Sequence, residues 1–198
     1  MCIRDSARKL EKEWLSWAIR MKINPYYEFV EKNPTRSLTK IPKDKKGYFL
    51  LRHGDQVDRA NAPDFTQKAF EIIVSMKRGK EKDGVLVSHG GINSGYSLYL
   101  DDGRIAFACR NNGDLKKILS KKVLPSEKVT VTAKLRNEGH AQVFLGNQLL
   151  VQSASFELIK TFPQDPLEVG NDSLSSVSDY QRRTKFKGEI SKVLLKIY

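Results

Sequence analysis

The sequence predicts an all-β antiparallel fold, and three observations predict it. From Phe70 to Arg110 apolar residues recur two apart rather than three and four apart. Short turn signals separate the runs, and the same pattern returns at near-regular spacing as far as Tyr198. Phe70, Ile72, Val74 and Met76 alternate with Glu71, Ser75 and Lys77, with Ile73 as the exception, which gives a strand with one buried face. Gly84–Ser88 is a short apolar run bounded by glycine. Tyr96, Leu98 and Leu100 alternate with Ser97, Tyr99 and Asp101; Ile105, Phe107 and Cys109 then face one way and Ala106, Ala108 and Arg110 the other. Between these two runs Asp102-Gly103 tolerates positive φ and closes a hairpin of the I′ type.

Later elements follow the same logic. Tyr48–Arg52 reads as the first strand, and His53-Gly54-Asp55 turns the chain. Asn111-Asn112-Gly113 is a turn. Leu115–Leu124 has apolar residues at helix-like spacing, but its length and place favour a strand or a loop crossing the sheet edge. Val129, Val131, Ala133 and Leu135 alternate with polar partners, as do Ala141, Val143 and Leu145, and Gly146-Asn147 closes a hairpin into Leu149 and Val151. Pro163 and Pro166 interrupt a loop before Leu167–Val169. Near the end Phe186, Gly188 and Ile190 share one phase while Val193, Leu195 and Ile197 share the other, which requires a bulge near Ser191-Lys192. Roughly ten short strands of this kind make a sandwich or barrel.

The N-terminal part differs. Residues 1–6 have no periodicity and are set aside as a non-native leader. In residues 7–24, Leu10, Trp14, Trp17, Ala18 and Met21 fall on one side of an amphipathic helix that Asn24-Pro25 stops. Residues 25–47, with Pro34 and Pro42 and the basic run Lys40, Lys43, Lys45 and Lys46, read as a linker; residues 48–198 are the β domain.

Two stretches carry a resemblance to known families. Leu10–Pro25, with its tryptophan pair and Ala18-Ile-Arg20 step, resembles the closing helix of bacterial arylsulfatases. The order Gly84, Gly95-Tyr96, Asp102-Gly103, Gly146-Asn147, Val169-Gly170-Asn171-Asp172 and Phe186-x-Gly188-x-Ile190 resembles the laminin-G-like, concanavalin A-like jelly roll. The Ser175–Asp179 run is similar to the tail of some arylsulfatases. These resemblances imply an antiparallel jelly-roll sandwich preceded by one helix, placed behind a sulfatase catalytic domain in cis. They also imply a secreted or periplasmic parent protein. The sulfatase signature, a Cys or Ser followed by x-Pro-x-Arg, is absent from this chain, so the expected role is a non-catalytic accessory module.

Charge and composition narrow the partners. The formal net charge of +12 favours an anionic partner, and a sulfated or acidic polysaccharide is the one the resemblance implies. A module that merely packs on the catalytic domain, and a general polyanion binder, are the alternatives. No nucleic-acid partner is expected, because no recognition motif accompanies the charge. No apolar run is long enough to span a membrane. Two cysteines, Cys2 and Cys109, exclude a disulfide framework, and Cys109 falls on an inward face.

The candidate glycan-binding residues are Tyr99 and Arg110, which point away from the expected core, and His89 in the loop-like Ser88-His89-Gly90-Gly91. Lys116 and Lys117 with Arg182 and Arg183 are candidates for an anion patch if loops bring them together. Asp172 is a candidate calcium ligand at the sandwich rim, calcium being the one cofactor the resemblance admits. No catalytic residue is expected.

Overall fold

A computed structural model of the chain describes Glu13, residues 36–180 and residues 185–198. The leader, the Trp14/Trp17 helix, most of the linker before Arg36 and the pair Arg182 and Arg183 lie outside the described residues. From Arg36 to Tyr198 the chain is one compact unit. Its strands are β1 (Arg36–Leu38), β2 (Phe49–Leu51), β3 (Asp55–Val57), β4 (Phe70–Lys77), β5 (Gly84–Gly90), β6 (Gly95–Asp101), β7 (Arg104–Asn111), β8 (Asp114–Val123), β9 (Lys128–Leu135), β10 (Ala141–Leu145), β11 (Gln148–Ser153), β12 (Leu167–Val169) and β13 (Glu189–Ile197).

They form the expected jelly-roll sandwich. Sheet A runs β1-β3-β12-β5-β6-β7-β8 and sheet B runs β11-β10-β9-β4-β13-β2. The β1–β3 pair is parallel and the other pairs are antiparallel. The unit begins at Arg36 rather than at Tyr48. Residues 36–47, read above as linker, supply β1, and Ile41 is buried in the core. Arg36 anchors this segment through Asp55, with Nε–Oδ1 at 2.6 Å and Nη2–Oδ2 at 3.0 Å.

The turns obey their residues. Asp102 (φ +48) and Gly103 (φ +76) join β6 to β7, and Asn112 (φ +50) and Gly113 (φ +88) join β7 to β8, both with the two positive φ values of a I′ turn. Leu115–Leu124 is strand β8 at the edge of sheet A. Its helix-like spacing arises because Leu115 and Leu119 pack outward while Ile118 joins the core. The register of β13 on β4 shifts between Ile190 and Lys192, so the bulge falls where the change of phase requires it.

The core is the layer between the sheets. Phe70, Ile72, Val74 and Met76 of β4 face Leu98, Ile105, Phe107 and Cys109 from sheet A, and all are buried. Phe65 meets Phe70 edge-on at 4.8 Å between ring centroids and Tyr96 at 5.0 Å, an aromatic cluster in a favourable tilted geometry. His89 belongs to this layer and not to a surface loop. It is a β5 residue paired with Tyr96, is 0 % exposed, and is ringed by Phe65, Tyr96 and Phe162. Among the described residues, neither of its ring nitrogens nor the Tyr96 hydroxyl has a hydrogen-bond partner. Burial therefore pushes the imidazole down to about 3, with the Asp64 charge only partly opposing.

That displacement makes stability depend on pH. Folded His89 stays neutral to about pH 3, whereas the unfolded chain takes up its proton near 6.5, so stability is lost as pH falls from 6.5 toward 3. Asp172 works the other way over a narrower window. Its carboxyl is pushed up to about 6 from 3.8, so it adds stability as pH falls between those values. The expected outcome is a melting temperature that declines from pH 7 to pH 4, with a flatter decline in His89→Leu. Calorimetric scans of both proteins across that range check it, and equal slopes would contradict the assignment.

Candidate functional site

The two outer faces of the sandwich differ, and four of the sequence-predicted residues, Tyr99, Arg110, Lys117 and Asp172, lie at one of them. On sheet A, register aligns Glu168, Ser88, Ser97, Ala108 and Lys117 in a row across β12, β5, β6, β7 and β8. A neighbouring row holds Val85, Tyr99, Ala106 and Leu119. Residues 171–180 lie across both rows as a strap. Glu168 accepts from the Ser173 amide at 2.7 Å, Ser88 Oγ donates to the Asn171 carbonyl at 2.8 Å, and the Tyr180 hydroxyl sits 2.7 Å from Ser97 Oγ. Lys117 Nζ reaches both Asp179 oxygens at 2.8 Å. Arg110 donates to the Val177 carbonyl at 2.7 Å, and Tyr99 Oη lies 3.1 Å from Ser178 Oγ.

Tyr99 and Arg110, candidates for one glycan site, are thus brought together under a cover with Lys117 from the expected anion patch. Tyr99 is only 4 % exposed and packs edge-on against Tyr180. Its ring has no open face on which a sugar could stack. The reason is local: Val85, Tyr99, Ala106 and Ala108 make a second apolar cluster, which Tyr180 and the strap seal. Lys116 lies apart, donating to the Ser155 carbonyl at 2.6 Å. Lys116 and Lys117 point to opposite sides of β8, so they form no single patch with each other.

Asp172 is the strap's internal anchor. It is 5 % exposed and accepts from the Val177 amide at 3.0 Å and from the Tyr180 hydroxyl at 2.8 Å. Burial raises its carboxyl first, and the nearby Glu168 and Asp165 add to this. These contacts do not fit a calcium ligand, and among the described residues no three His, Cys, Asp or Glu side chains gather into a metal-sized group.

Sheet B presents a different outer face. One row aligns Gln152, Gln142, Lys134, Glu71 and Lys196 across β11, β10, β9, β4 and β13. The next row aligns Leu149, Phe144, Thr132, Ile73, Leu194 and Leu50. Ile73, Phe144, Leu194 and Leu50 are half-buried, and Tyr198 is 59 % exposed. Glu71 organises the polar row. One of its oxygens accepts from the Tyr48 and Tyr198 hydroxyls, the latter at 2.8 Å, and the other takes Lys134 Nζ at 3.3 Å. Burial works to raise its carboxyl, but these donors outweigh burial and hold it below the ordinary value. Lys196 Nζ lies over both tyrosine rings, 5.0 Å from Tyr48 and 5.2 Å from Tyr198, and Lys134 lies 5.4 Å from the Phe144 ring.

Chemically this row can bind but is poorly suited to attack. The bond to Glu71 raises the Tyr48 hydroxyl above its usual range, which makes it a weaker nucleophile at neutral pH. Two ammonium groups stand against one carboxylate that already has three donors, so the row retains positive charge for a ligand. Sequence reasoning missed these residues. Glu71 and Lys134 were legible as outward-facing, but only register shows that they share a row with Lys196.

The fold has relatives among solved structures. The carbohydrate-binding module CBM40 of the Ruminococcus gnavus IT-sialidase, solved with α2,3-sialyllactose, superposes with a TM-score of 0.53 at 17 % identity, covering 67 % of this chain and 79 % of that one. The NanB sialidase of Streptococcus pneumoniae, as its K499G mutant, gives a TM-score of 0.56 at 11 % identity, covering 74 % of this chain but only 25 % of the sialidase. Domains LG4-5 of the mouse laminin α1 chain give 0.48 at 16 % identity, covering 76 % of this chain and 38 % of that one. No protein-family model matches the sequence, and no curated protein matches it. The similarity to the first two supports the jelly-roll sandwich and, at these identities, shows the fold alone.

The strap's anchoring predicts two unequal effects. Asp172→Ala leaves the Val177 amide and the Tyr180 hydroxyl without their acceptor and should cost about 1–3 kcal/mol. A double-mutant cycle on the half-exposed Lys117–Asp179 pair should return a coupling below about 1 kcal/mol. Urea denaturation of the single and double variants measures both.

Proposed function

We propose that the domain is a non-catalytic carbohydrate-binding module that takes an acidic glycan on the outer face of sheet B. The observation that carries this reading is the pair of adjacent rows. An apolar row of Phe144, Ile73 and Leu194 suits the C–H face of a pyranose, and the polar row beside it offers Lys196, Lys134 and the glutamines to its hydroxyl and anionic groups. The fold supports it by analogy, since one similar structure is a carbohydrate-binding module holding a sialylated sugar. The overall charge of +12 favours an anion as the partner and makes binding salt-dependent.

The sulfated or acidic polysaccharide and the sulfatase catalytic domain in cis belong to the same proposal. The Trp14/Trp17 segment and the Ser175–Asp179 run are what support the second, and with it an exported parent protein in the periplasm or outside the cell. In that arrangement the module holds a catalytic domain near its polymeric substrate.

A glycan array followed by isothermal titration tests the reading. Acidic oligosaccharides should bind and their neutral counterparts should bind less. Lys196→Ala should weaken the acidic ones about tenfold, the worth of one charge-assisted hydrogen bond. Equal binding of acidic and neutral glycans, or none of either, would overturn it.

A further inference from the structure

The outer face of sheet A carries binding chemistry of its own that the proposed role does not use. On a floor of Ala106 and Ala108 it sets out a tyrosine hydroxyl (Tyr99), a serine hydroxyl (Ser97), a guanidinium (Arg110) and an ammonium (Lys117). Each of these groups is engaged by an oxygen of the strap: Ser178 Oγ, Tyr180 Oη, the Val177 carbonyl and the Asp179 carboxylate, respectively. The strap touches strands from β12 to β8: Glu168, Ser88, Ser97 and Lys117 of one register row, with Tyr99 and Arg110 beside that row.

The geometry points to a second, closed site on sheet A for an anionic oligosaccharide, with residues 171–180 acting as its internal occupant. The strap offers the sheet the same groups that an acidic sugar offers: hydroxyls, a carbonyl and a carboxylate. Its outermost grip is its weakest. Lys117 and Asp179 are 43 % and 49 % exposed in their side chains, so water competes for that pair, whereas Val177 and Ser178 behind it are buried. Release therefore starts at Asp179. An anion that takes Lys117 removes the first contact, and the freed strap uncovers Arg110 and then the Tyr99 ring. The closed strap lowers the apparent affinity of this face by the fraction of molecules that are open.

This inference shares with the proposed function only the class of ligand, and the test separates the two. The full chain is titrated with a heparin-derived hexasaccharide (sulfate) and with α2,3-sialyllactose (carboxylate), while hydrogen exchange is followed at the amides of residues 171–180. With the probe that binds, saturation should speed exchange in the wild-type strap. In a Lys196→Ala background, which removes the open-face contact, Asp179→Ala should raise affinity about fivefold, and Lys117→Ala added to it should abolish the gain. Strap amides unchanged at saturation, with binding lost in Lys196→Ala, overturn the closed site and leave the open face standing. Binding indifferent to Lys196→Ala but accompanied by faster strap exchange upholds the closed site and removes the open one. The wild-type exchange measurement decides the matter even where the multiple variants fail to fold.

Discussion

The pairing register of β4 is the constraint on which the rest of the domain depends. Because side chains alternate with period two, one residue of slip would send Phe70, Ile72, Val74 and Met76 to the solvent and Glu71 into the core. The register is held from both sides, by β9 and by β13. On one face it places the aliphatic side of the sandwich, and on the other it sets Glu71 between Lys134 and Lys196. Core and polar row are therefore two consequences of one alignment. The Ser191 bulge protects both: it absorbs the extra residue in β13, so that Ile190 and Val193 both reach the core and Lys196 still lies opposite Glu71.

Much of the fold was legible because it is written locally. Alternation in β4, β6, β7 and β9 and the dipeptides Asp102-Gly103 and Gly146-Asn147 depend on neighbours in sequence, and each appears as read. Where the reading fell short, long-range contacts decide. Residues 36–47 look like a linker because β1 has only three residues; its membership depends on Arg36 meeting Asp55 across the turn. His89 looks like a loop residue because glycines follow it, yet its pairing with Tyr96 and Leu167 carries it into the aromatic core. A neutral imidazole can occupy such a place at the expense of two unmet hydrogen bonds, and nothing in the adjacent sequence announces it.

The functional residues divide along the same line. Tyr99 and Arg110 were readable as outward-facing, and they share a surface with Lys117. That the strap covers them was not readable, because its contacts with them join residues 62 to 79 positions apart. Glu71 was readable only as the polar side of a strand. Its meaning comes from Tyr48 and Tyr198, drawn from two other segments of the chain to a single carboxylate oxygen.

The two faces of the sandwich also explain each other. An outer face rich in small and apolar residues cannot stay bare, and sheet A, with Val85, Ala106 and Ala108, is covered by the chain's own strap. Sheet B solves the same problem without a cover. Its Ile73 and Leu194 are flanked by a row that carries Lys134 and Lys196 against the one carboxylate of Glu71, with the lysine ammonium groups set over aromatic rings. That arrangement leaves the surface soluble yet capable of stacking. It also fixes Tyr48: a carboxylate that accepts hydrogen bonds from two phenols and pairs with an ammonium holds those groups in place and keeps the Tyr48 phenol protonated.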